Sequence, residues 1–421
     1  MTSVPAIIAL ANETRDYAWG SATAIPRLLG TAPPGGPVAE LWVGAHPDAP
    51  SRWLDSPQRN PLTDLIAADP GYLLGEASLE RFGPRLPFLF KVLAAERALS
   101  IQVHPTAEQA AVGYAAENEA GVPFSSADRN YRDAHHKPEL ACAITEFDAL
   151  CGFRPVSQTL RLLDALAVAE LAPYRELLAG EDGLRATFTT LLSLPELARL
   201  KLLDGLAAGC RRLAAASGEW QATARVVLQA GLDYPGDIGA ALALLLNHVR
   251  LLPGEAIFLG AGNVHAYLRG VCVEILANSD NVLRCGLTSK HVDIPELLRV
   301  ADFQPLPQPR WRPVAEPDSE TAGSRATGSG VTGSRTSFAP PVADFRLTVL
   351  EPAGVPEPLG LSGPKIVLCA GGRIELAAGA DRRTLDRGES AFVAAAADCK
   401  IGGQGRAYVA TTNLDDAPAT N

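Results

Sequence analysis

The chain of 421 residues is 47% hydrophobic and 20% charged, and its formal net charge is −10. This length suggests about three domains' worth of sequence, with enough apolar residues to build real hydrophobic cores. The acidic balance argues against a nucleic-acid or anionic-membrane surface, which needs clustered lysine and arginine, but it leaves room for a small anionic substrate.

The first residues and the cysteines indicate the cellular setting. The start, "MTSVPAIIALANETRDYAWGS", has no basic region, and its apolar run is too short for a signal peptide. The longest aliphatic stretch, "IGAALALLLNHV", is well below the ~20 residues of a membrane-spanning helix. The cysteines are odd in number, scattered and without a C-x-x-C motif, which favours free thiols in a reducing compartment. We therefore expect a cytoplasmic protein.

Residues 1–154 have the pattern of a β domain. Short β-like runs ("AIIAL", "AELWVGA", "FLFKVLA", "SIQVH", "ELACAIT", "FDALCGF") are separated by proline and glycine turns.

Residues 155–250 change to a helical period. In "SQTLRLLDALAVAELAPYRELLAG", leucine and alanine recur at intervals of three and four residues. The segment "SLPELARLKLLDGLAAGCRRLAAA" opens with Ser193 and Glu196, the spacing of a capping box, with Pro195 in the first turn. "DIGAALALLLNHVRLL" predicts a third helix. We therefore expect an all-helical insertion over 155–250.

The β pattern returns in residues 251–312, which we assign to the same domain as 1–154. Residues 313–341 are rich in Ser, Gly, Thr and Pro and predict a flexible linker or mobile loop. Residues 342–421 hold short strands between glycine turns, the signature of a small β-sandwich or barrel. The sequence therefore predicts a mainly β protein with an α-helical insertion.

Two polar residues share one face of the apolar segment "SIQVHP". If this segment is a strand, Gln102 and His104 point to the same side, and both need partners when buried. A bound metal would satisfy them, and so would an ordinary hydrogen-bond network. The C-terminal β segment contains no histidine, so a histidine-bound metal would belong to the first β domain.

Two further segments could complete a metal site with Gln102 and His104. In "HHKPELA", Glu139 opens a β-like run, and in "GAGNVHAYLRGVCVEI" a glycine turn delivers His265 to the start of a strand. One carboxylate and three neutral ligands around Zn²⁺ leave a charge of about +1, so the metal stays a strong Lewis acid. Such a site suits a reaction in which negative charge develops on an oxygen.

Several segments together resemble, in order and spacing, the type I mannose-6-phosphate isomerases, which are zinc enzymes of the cupin superfamily. The resemblance covers about residues 15–300 and rests on "YAWGS", "ELWVGAHP", "FLFKVL", "LSIQVHP", "HKPELA", "GFRP", "GEAIFLGAGNVHAYLRG" and "NSDNVLRCGLTSKH". It implies two cupin-type (jelly-roll) β domains plus a helical domain inserted in the first. The C-terminal cupin-like domain, 342–421, would carry no metal ligands.

The resemblance also implies roles for individual positions. The family's zinc ligands, one ion per chain, fall on Gln102, His104, Glu139 and His265, and its catalytic arginine falls on Arg284. The other pocket positions that match are Trp19, Ser100, Lys137, Tyr267, Glu274, Asp280 and Lys290. The chain departs from the family at His135, and at Cys285 and Ser289 in the arginine loop.

The implied reaction interconverts mannose 6-phosphate and fructose 6-phosphate through an enediolate. Arg284 suits the developing oxyanion, Lys137 and Lys290 suit phosphate or ring oxygens, and Ser100 suits a hydroxyl donor to phosphate. Glu274 is the preferred proton carrier, with Asp280, Lys137 or a zinc-bound water as alternatives.

Other interpretations stay open for the same residues. Glu274 could pair with Arg269 or Arg284, Lys290 could be an ordinary surface lysine, and Tyr267 and Trp19 could be core or rim aromatics.

Two other functions compete with the isomerase. One is a non-catalytic phosphosugar-binding metal cupin, and Arg284 argues against it because a binder does not need a fixed cation beside the metal. The other is a metal-dependent oxygenase, and Gln102 argues against it because redox sites favour imidazole. The partner we expect is a small sugar phosphate, with no nucleic acid and no membrane, and the protein is expected to be a monomer.

Overall fold

The computed structural model describes residues 4–314 and 333–414. The strands are β1 (Ile7–Ala11), β2 (Glu13–Arg15), β3 (Glu40–Val43), β4 (Arg52–Trp53), β5 (Phe88–Ala95), β6 (Ile101–Val103), β7 (Glu139–Ala143), β8 (Phe147–Phe153), β9 (Leu246–Leu251), β10 (Ala256–Leu259), β11 (His265–Ala277), β12 (Leu283–Gly286), β13 (Arg310–Trp311), β14 (Ser334–Phe338), β15 (Arg346–Glu351), β16 (Gly354–Pro358), β17 (Lys365–Ala378), β18 (Asp381–Asp386), β19 (Ser390–Val393) and β20 (Cys399–Thr411).

The α-helices concentrate in the first three quarters of the chain. They are α1 (Ala24–Leu29), α2 (Leu62–Ala68), α3 (Pro70–Leu74), α4 (Glu76–Phe82), α5 (Ala107–Glu119), α6 (Val156–Leu166), α7 (Ala172–Leu178), α8 (Gly183–Leu192), α9 (Glu196–Ala215), α10 (Gln221–Asp233), α11 (Gly239–Leu242) and α12 (Ile294–Val300). Short 3₁₀ turns cover Ala169–Leu171 and Ala243–Leu245. Within the described part of the chain, no helix combines the length and the apolar character that crossing a bilayer requires.

The chain divides into two compact units. Unit 1 draws its described residues from Met1–Ala94, Val273–Asn278 and Trp311–Asn421, and unit 2 is formed by Ala95–Cys272 and Ser279–Arg310.

Unit 1 contains an antiparallel sheet with the strand order β14-β15-β20-β17-β19-β1-β4, with β16 beside β20 and β18 beside β17. Its longest strands, β17 and β20, bury one face in a core that includes Val367, Ile374, Leu376, Ile401 and Val409. In residues 373–378, buried positions alternate with more exposed ones, as in a sheet with one covered face, whereas residues 365–369 are buried on both faces.

The segment predicted as a linker, 313–341, is described only at its ends. Residues 315–332 lie outside the described residues. Ser334–Phe338 form strand β14, which pairs with β15 from Ser334 opposite Glu351 to Phe338 opposite Leu347.

Unit 2 combines strands with the helices α5 to α12. β6 lies between β12 and the start of β11, and β8 lies between β9 and the start of β11. Helical residues such as Leu162, Phe188 and Leu206 belong to the same buried cluster as Ile101 of β6 and Leu283 of β12. The helices therefore share one core with the strands of this unit. The predicted fold class, mainly β with a helical insertion, is confirmed.

Two local predictions in the helical region are wrong. Pro195, with an extended backbone, is the N-cap of α9, and no side chain caps this helix, so Ser193 and Glu196 do not form a capping box. In "DIGAALALLLNHVRLL", the helix is short and Leu246–Leu251 form strand β9 opposite β8. A continuous apolar run fits a buried helix and a buried strand equally well. Here the pairing with β8 stabilises the strand.

Candidate metal centre

Gln102, the first predicted ligand, lies on strand β6 between strands β11 and β12. The buried residues Ile101 and Val103 of β6 face the core, so Gln102 points to the other side. Gln102 lies opposite His265 of β11 and opposite Arg284 of β12 in the strand register. Residues that are far apart in the chain thus meet around a single glutamine.

The loop before β11 is shaped by glycine. Gly262 has a φ of 79°, and its N–H donates a 2.9 Å hydrogen bond to the carbonyl of His104. A Cβ at this position would lie 2.9 Å from Cβ of Asp302, so the turn has no room for a side chain. The turn therefore places the segment just after β6 beside the start of β11, where His265 stands.

Three of the predicted ligands converge in the interior of unit 2. His104 Nε2 lies 3.3 Å from Glu139 Oε1, and His265 Nε2 lies 3.3 Å from Glu139 Oε2. All three residues are buried, and their ligand atoms lie within 4.8 Å of one another. Gln102 completes the group, with its amide Nε2 3.3 Å from His265 Nε2.

Backbone carbonyls set the tautomers of both histidines. Nδ1 of His104 is 2.7 Å from the carbonyl of Asn281, and Nδ1 of His265 is 2.9 Å from the carbonyl of Asn263. A carbonyl only accepts, so each Nδ1 carries the proton and each Nε2 presents a lone pair to Glu139. The two rings thereby turn their lone pairs towards the same carboxylate.

These four side chains fit a divalent cation. The lone pairs of His104, His265 and Glu139 face one another, and within the described residues His104 Nε2 and Glu139 Oε2 have no hydrogen-bond partner although they are buried. Buried acceptors that face each other repel unless a cation lies between them. A half-turn of the Gln102 amide would present its oxygen to the same point. Two imidazoles, one carboxylate and one amide oxygen are a donor set that zinc accepts.

The charge of Glu139 is held by its surroundings. Burial alone would raise the pKa of this carboxyl, but His104, when protonated, and the ammonium of Lys137 hold the pKa well below its usual value. Lys137 Nζ lies 3.8 Å from Glu139 Oε1 and is itself buried. Glu139 is therefore an anion in the folded protein and is suited to a cationic partner.

Burial lowers the pKa of His104 from 6.5 to about 4, even though Glu139 acts in the opposite direction. Because the folded protein takes up this proton less readily than the unfolded chain, stability falls as the pH drops from 6.5 to 4. We expect the metal-free protein to lose about 3 kcal/mol from this group across that window. Thermal unfolding after chelation, measured from pH 7.5 to 4, tests this. A metal-free His104→Ala variant with the same pH dependence would contradict it.

Arg284 is the nearest predicted catalytic group in the strand register, opposite Gln102. Its pKa is lowered by burial and by the charge of Arg132, and the pKa of Lys290 is lowered by burial, by Arg284 and by Arg132. Arg132 was not predicted from the sequence. Its guanidinium donates to the backbone carbonyls of Phe124 and Ser126, which are neutral acceptors. This part of unit 2 is therefore cationic and suits an anionic group.

The remaining predicted residues of unit 2 differ in exposure. Ser100 is half-buried directly before β6. Tyr267 is 2% exposed, with its ring 5.3 Å from Phe147 and 6.2 Å from His265, so it packs beside a predicted ligand. Asp280 is exposed, and its backbone N–H donates to the carboxylate of Asp133.

Two predicted residues, Glu274 and Trp19, belong to unit 1. Trp19 stacks on Tyr17 with a centroid distance of 5.7 Å. Glu274 is buried, and its Oε2 lies 3.6 Å from Nζ of Lys91. Lys91, which was not considered from the sequence, is therefore a partner of Glu274.

Lys91 was not identified from the sequence as a functional candidate. It is buried, lies 3.7 Å from Glu40 Oε2, and its ammonium stands 4.9 Å from the ring centre of Trp42. The signal was present in "FLFKVLA", where one lysine interrupts an apolar strand and must find anionic partners when buried.

The fold and these side chains define a β-rich protein with a buried centre for a divalent metal beside a cationic patch. A model of the family described as phosphomannose isomerase type I, catalytic domain, matches residues 7–156. The mannose-6-phosphate isomerase of Salmonella typhimurium is 42% identical over 390 residues, covering 92% of this chain and 94% of the relative. That of Escherichia coli is 41% identical over 392 residues, with 92% and 94% covered.

Solved structures agree with these relatives. A crystal structure of zinc-bound mannose 6-phosphate isomerase superposes with a TM-score of 0.86 at 38% identity, covering 97% of this chain and 100% of that one. The chain belongs to the type I phosphomannose isomerase family. Both the family and the cupin-type fold class expected from the sequence are confirmed.

Proposed function

We propose that this protein interconverts D-mannose 6-phosphate and D-fructose 6-phosphate through an enediolate, with one Zn²⁺ per chain. It is an enzyme of the aldose–ketose isomerase class. The observation that carries this function is that the lone pairs of His104, Glu139 and His265 converge beside Gln102. Arg284 lies opposite Gln102 in the strand register.

Gln102, His104, Glu139 and His265 are proposed to hold the zinc. When bound, the ion supplies a Lewis acid that polarises a carbonyl oxygen of the open-chain sugar. The carbonyls of Asn281 and Asn263 keep both imidazoles in the orientation that this requires.

The protein's own residues supply the remaining chemistry. Arg284 is proposed to donate hydrogen bonds to the oxygen on which negative charge develops, because its fork-shaped cation is fixed on β12. Lys137 adds a second donor beside Glu139. Lys290 and Ser100 are proposed to contact the phosphate, and the cationic surroundings of Lys290 support this role.

A base must take the proton from C2 of the aldose and return it to C1, while a proton moves from O2 to O1. We propose Glu274 for the carbon proton. Glu274 is buried, and carboxylates are common general bases in proton transfer. Trp19, Tyr267 and Asp280 are proposed to shape the substrate site.

The setting of the enzyme is also proposed. The cysteines of the described residues are all free and buried, which supports the cytoplasm. We propose a monomer of 44.2 kDa, which light scattering after gel filtration would check. Residues 1–154 and 251–312 are proposed as the catalytic domain, and 155–250 as its helical insertion.

Metal analysis with a coupled isomerase assay tests the function. We expect one zinc per chain, turnover of fructose 6-phosphate, loss of turnover on chelation and its return with Zn²⁺. A protein with full zinc and no turnover would be the non-catalytic phosphosugar binder. Stoichiometric iron with oxygen uptake would indicate an oxygenase.

A further inference from the structure

Asp237, at the end of the helical region, holds the segment that follows β12. Its Oδ1 accepts hydrogen bonds from the backbone N–H of Leu287 at 2.8 Å and of Gly239 at 2.7 Å. Its Oδ2 accepts from the N–H of Thr288 at 3.2 Å. The bond to Gly239 is local, but the bonds to Leu287 and Thr288 reach a distant part of the chain. One carboxylate therefore links the helical region to the segment between Arg284 and Lys290.

This segment has a backbone conformation that needs support. Leu287 has a φ of 53°, in the left-handed region that residues with a side chain rarely adopt. Such a conformation persists only where the surroundings impose it, and it is common near functional sites. The N–H of Leu287 is one of the groups that Asp237 binds, so the carboxylate acts where the backbone is strained.

The two backbones are also in close contact. A Cβ on Gly239 would lie 2.6 Å from the backbone nitrogen of Leu287, and a Cβ on Gly286 would lie 2.8 Å from Cα of Gly239. A movement of the segment around Asp237 would therefore be passed directly to Gly286, the last residue of β12.

β12 is held at its other end as well. The side-chain amide of Asn281 donates to the carbonyls of Asp133 and His135, and its Oδ1 accepts from the N–H of Arg132. Arg284 stands between these two anchors and opposite Gln102. The Asn281 anchor belongs to the loop that orients His104, whereas the Asp237 anchor touches none of the four proposed ligands.

We propose that Asp237 is a positioning residue that fixes Arg284 for the reaction, and that this is a function of the helical insertion. The inference rests on the proposed role of Arg284. A shift of the guanidinium by about 1 Å is enough to cost on the order of 100-fold in rate.

The test compares Asp237→Ala and Asp237→Asn with the unmodified holoenzyme. Asp237→Ala is expected to keep its zinc and to lower kcat by about 10- to 100-fold with little change in KM, because Arg284 acts on the transition state. Asp237→Asn keeps an acceptor for the N–H of Leu287 and loses the one for Thr288, so its decrease in kcat should be smaller. Asp164→Ala, in the same helical region with its carboxylate on exposed Arg175, is the control and should turn over normally.

A double variant separates positioning from general loosening. In an Arg284→Ala background, adding Asp237→Ala should slow turnover by no more than about threefold, because the group that Asp237 positions is gone. Equal slowing in both backgrounds would overturn the proposal. So would normal turnover of Asp237→Ala.

Hydrogen exchange gives a readout that does not depend on the role of Arg284. The amides of Leu287 and Thr288 should exchange faster in Asp237→Ala and less so in Asp237→Asn. Unchanged exchange would overturn the inference from the contacts themselves. If Arg284→Ala alone turns over normally, the proposed role of Arg284 is wrong. Hydrogen exchange still tests the Asp237 contacts, so this result is distinct from a failure of the Asp237 proposal. If Asp237→Ala does not fold, Asp237→Asn decides by the same measurements.

Discussion

Glu139→Ala is expected to lose the metal and turnover together. Glu139 is the one anionic side chain among the four proposed ligands, and it lies 3.3 Å from both imidazole nitrogens. Without it, the site offers only neutral donors, and the buried ammonium of Lys137 loses its partner. A cation beside unpaired Lys137 is strongly disfavoured, so we expect zinc to fall far below one per chain and turnover to drop by at least about 10³-fold.

Elemental analysis and the coupled assay on the same preparation check this. The matched control is Glu146→Ala, which removes an exposed carboxylate of unit 2 that pairs with Arg250. It should keep both zinc and activity. Glu139→Ala with a full complement of zinc would contradict the proposed ligand set.

Arg284→Ala is expected to lose turnover but keep its zinc, whereas Glu139→Ala loses both. Arg284 neighbours Gln102 in the register but is not one of the converging ligands, so the zinc content should be unchanged. Turnover should fall by about 10²- to 10³-fold, the usual cost of removing a donor to a developing oxyanion. Arg284→Lys should recover little, because an ammonium lacks the planar fork of a guanidinium.

The control for this variant is Arg269→Ala, which deletes an exposed arginine that pairs with Glu96. It should keep normal turnover, and the measured quantities are kcat, KM and zinc per chain. Normal kcat in Arg284→Ala would refute the role that we assign to this arginine.

The residues of the proposed metal centre could be selected from the sequence because their signals are local. Gln102 and His104 stand two residues apart in a short strand, Glu139 opens a strand, and a glycine turn precedes His265. Each placement follows from strand period or turn chemistry. Their convergence depends on strand pairing, and family resemblance supplied that part.

The features that the sequence could not predict are set by contacts between distant residues. The pairing of Glu274 with Lys91 and the bond from Asp237 to Leu287 depend on which segments become neighbours in the fold. The strand Leu246–Leu251 was missed because a run of leucines carries no period that separates a strand from a helix.

The order of the residues along the chain has a consequence for how the enzyme matures. Gln102, His104 and Glu139 precede helices α6 to α11, whereas His265 and the Asn281 carbonyl that orients His104 follow them. A nascent polypeptide therefore cannot present the complete proposed ligand set until residue 265 has left the ribosomal exit tunnel, and the carbonyl that orients His104 follows at residue 281. A product that ends within α6 to α11 would lack His265, so on the proposed ligand set it would offer an incomplete zinc site.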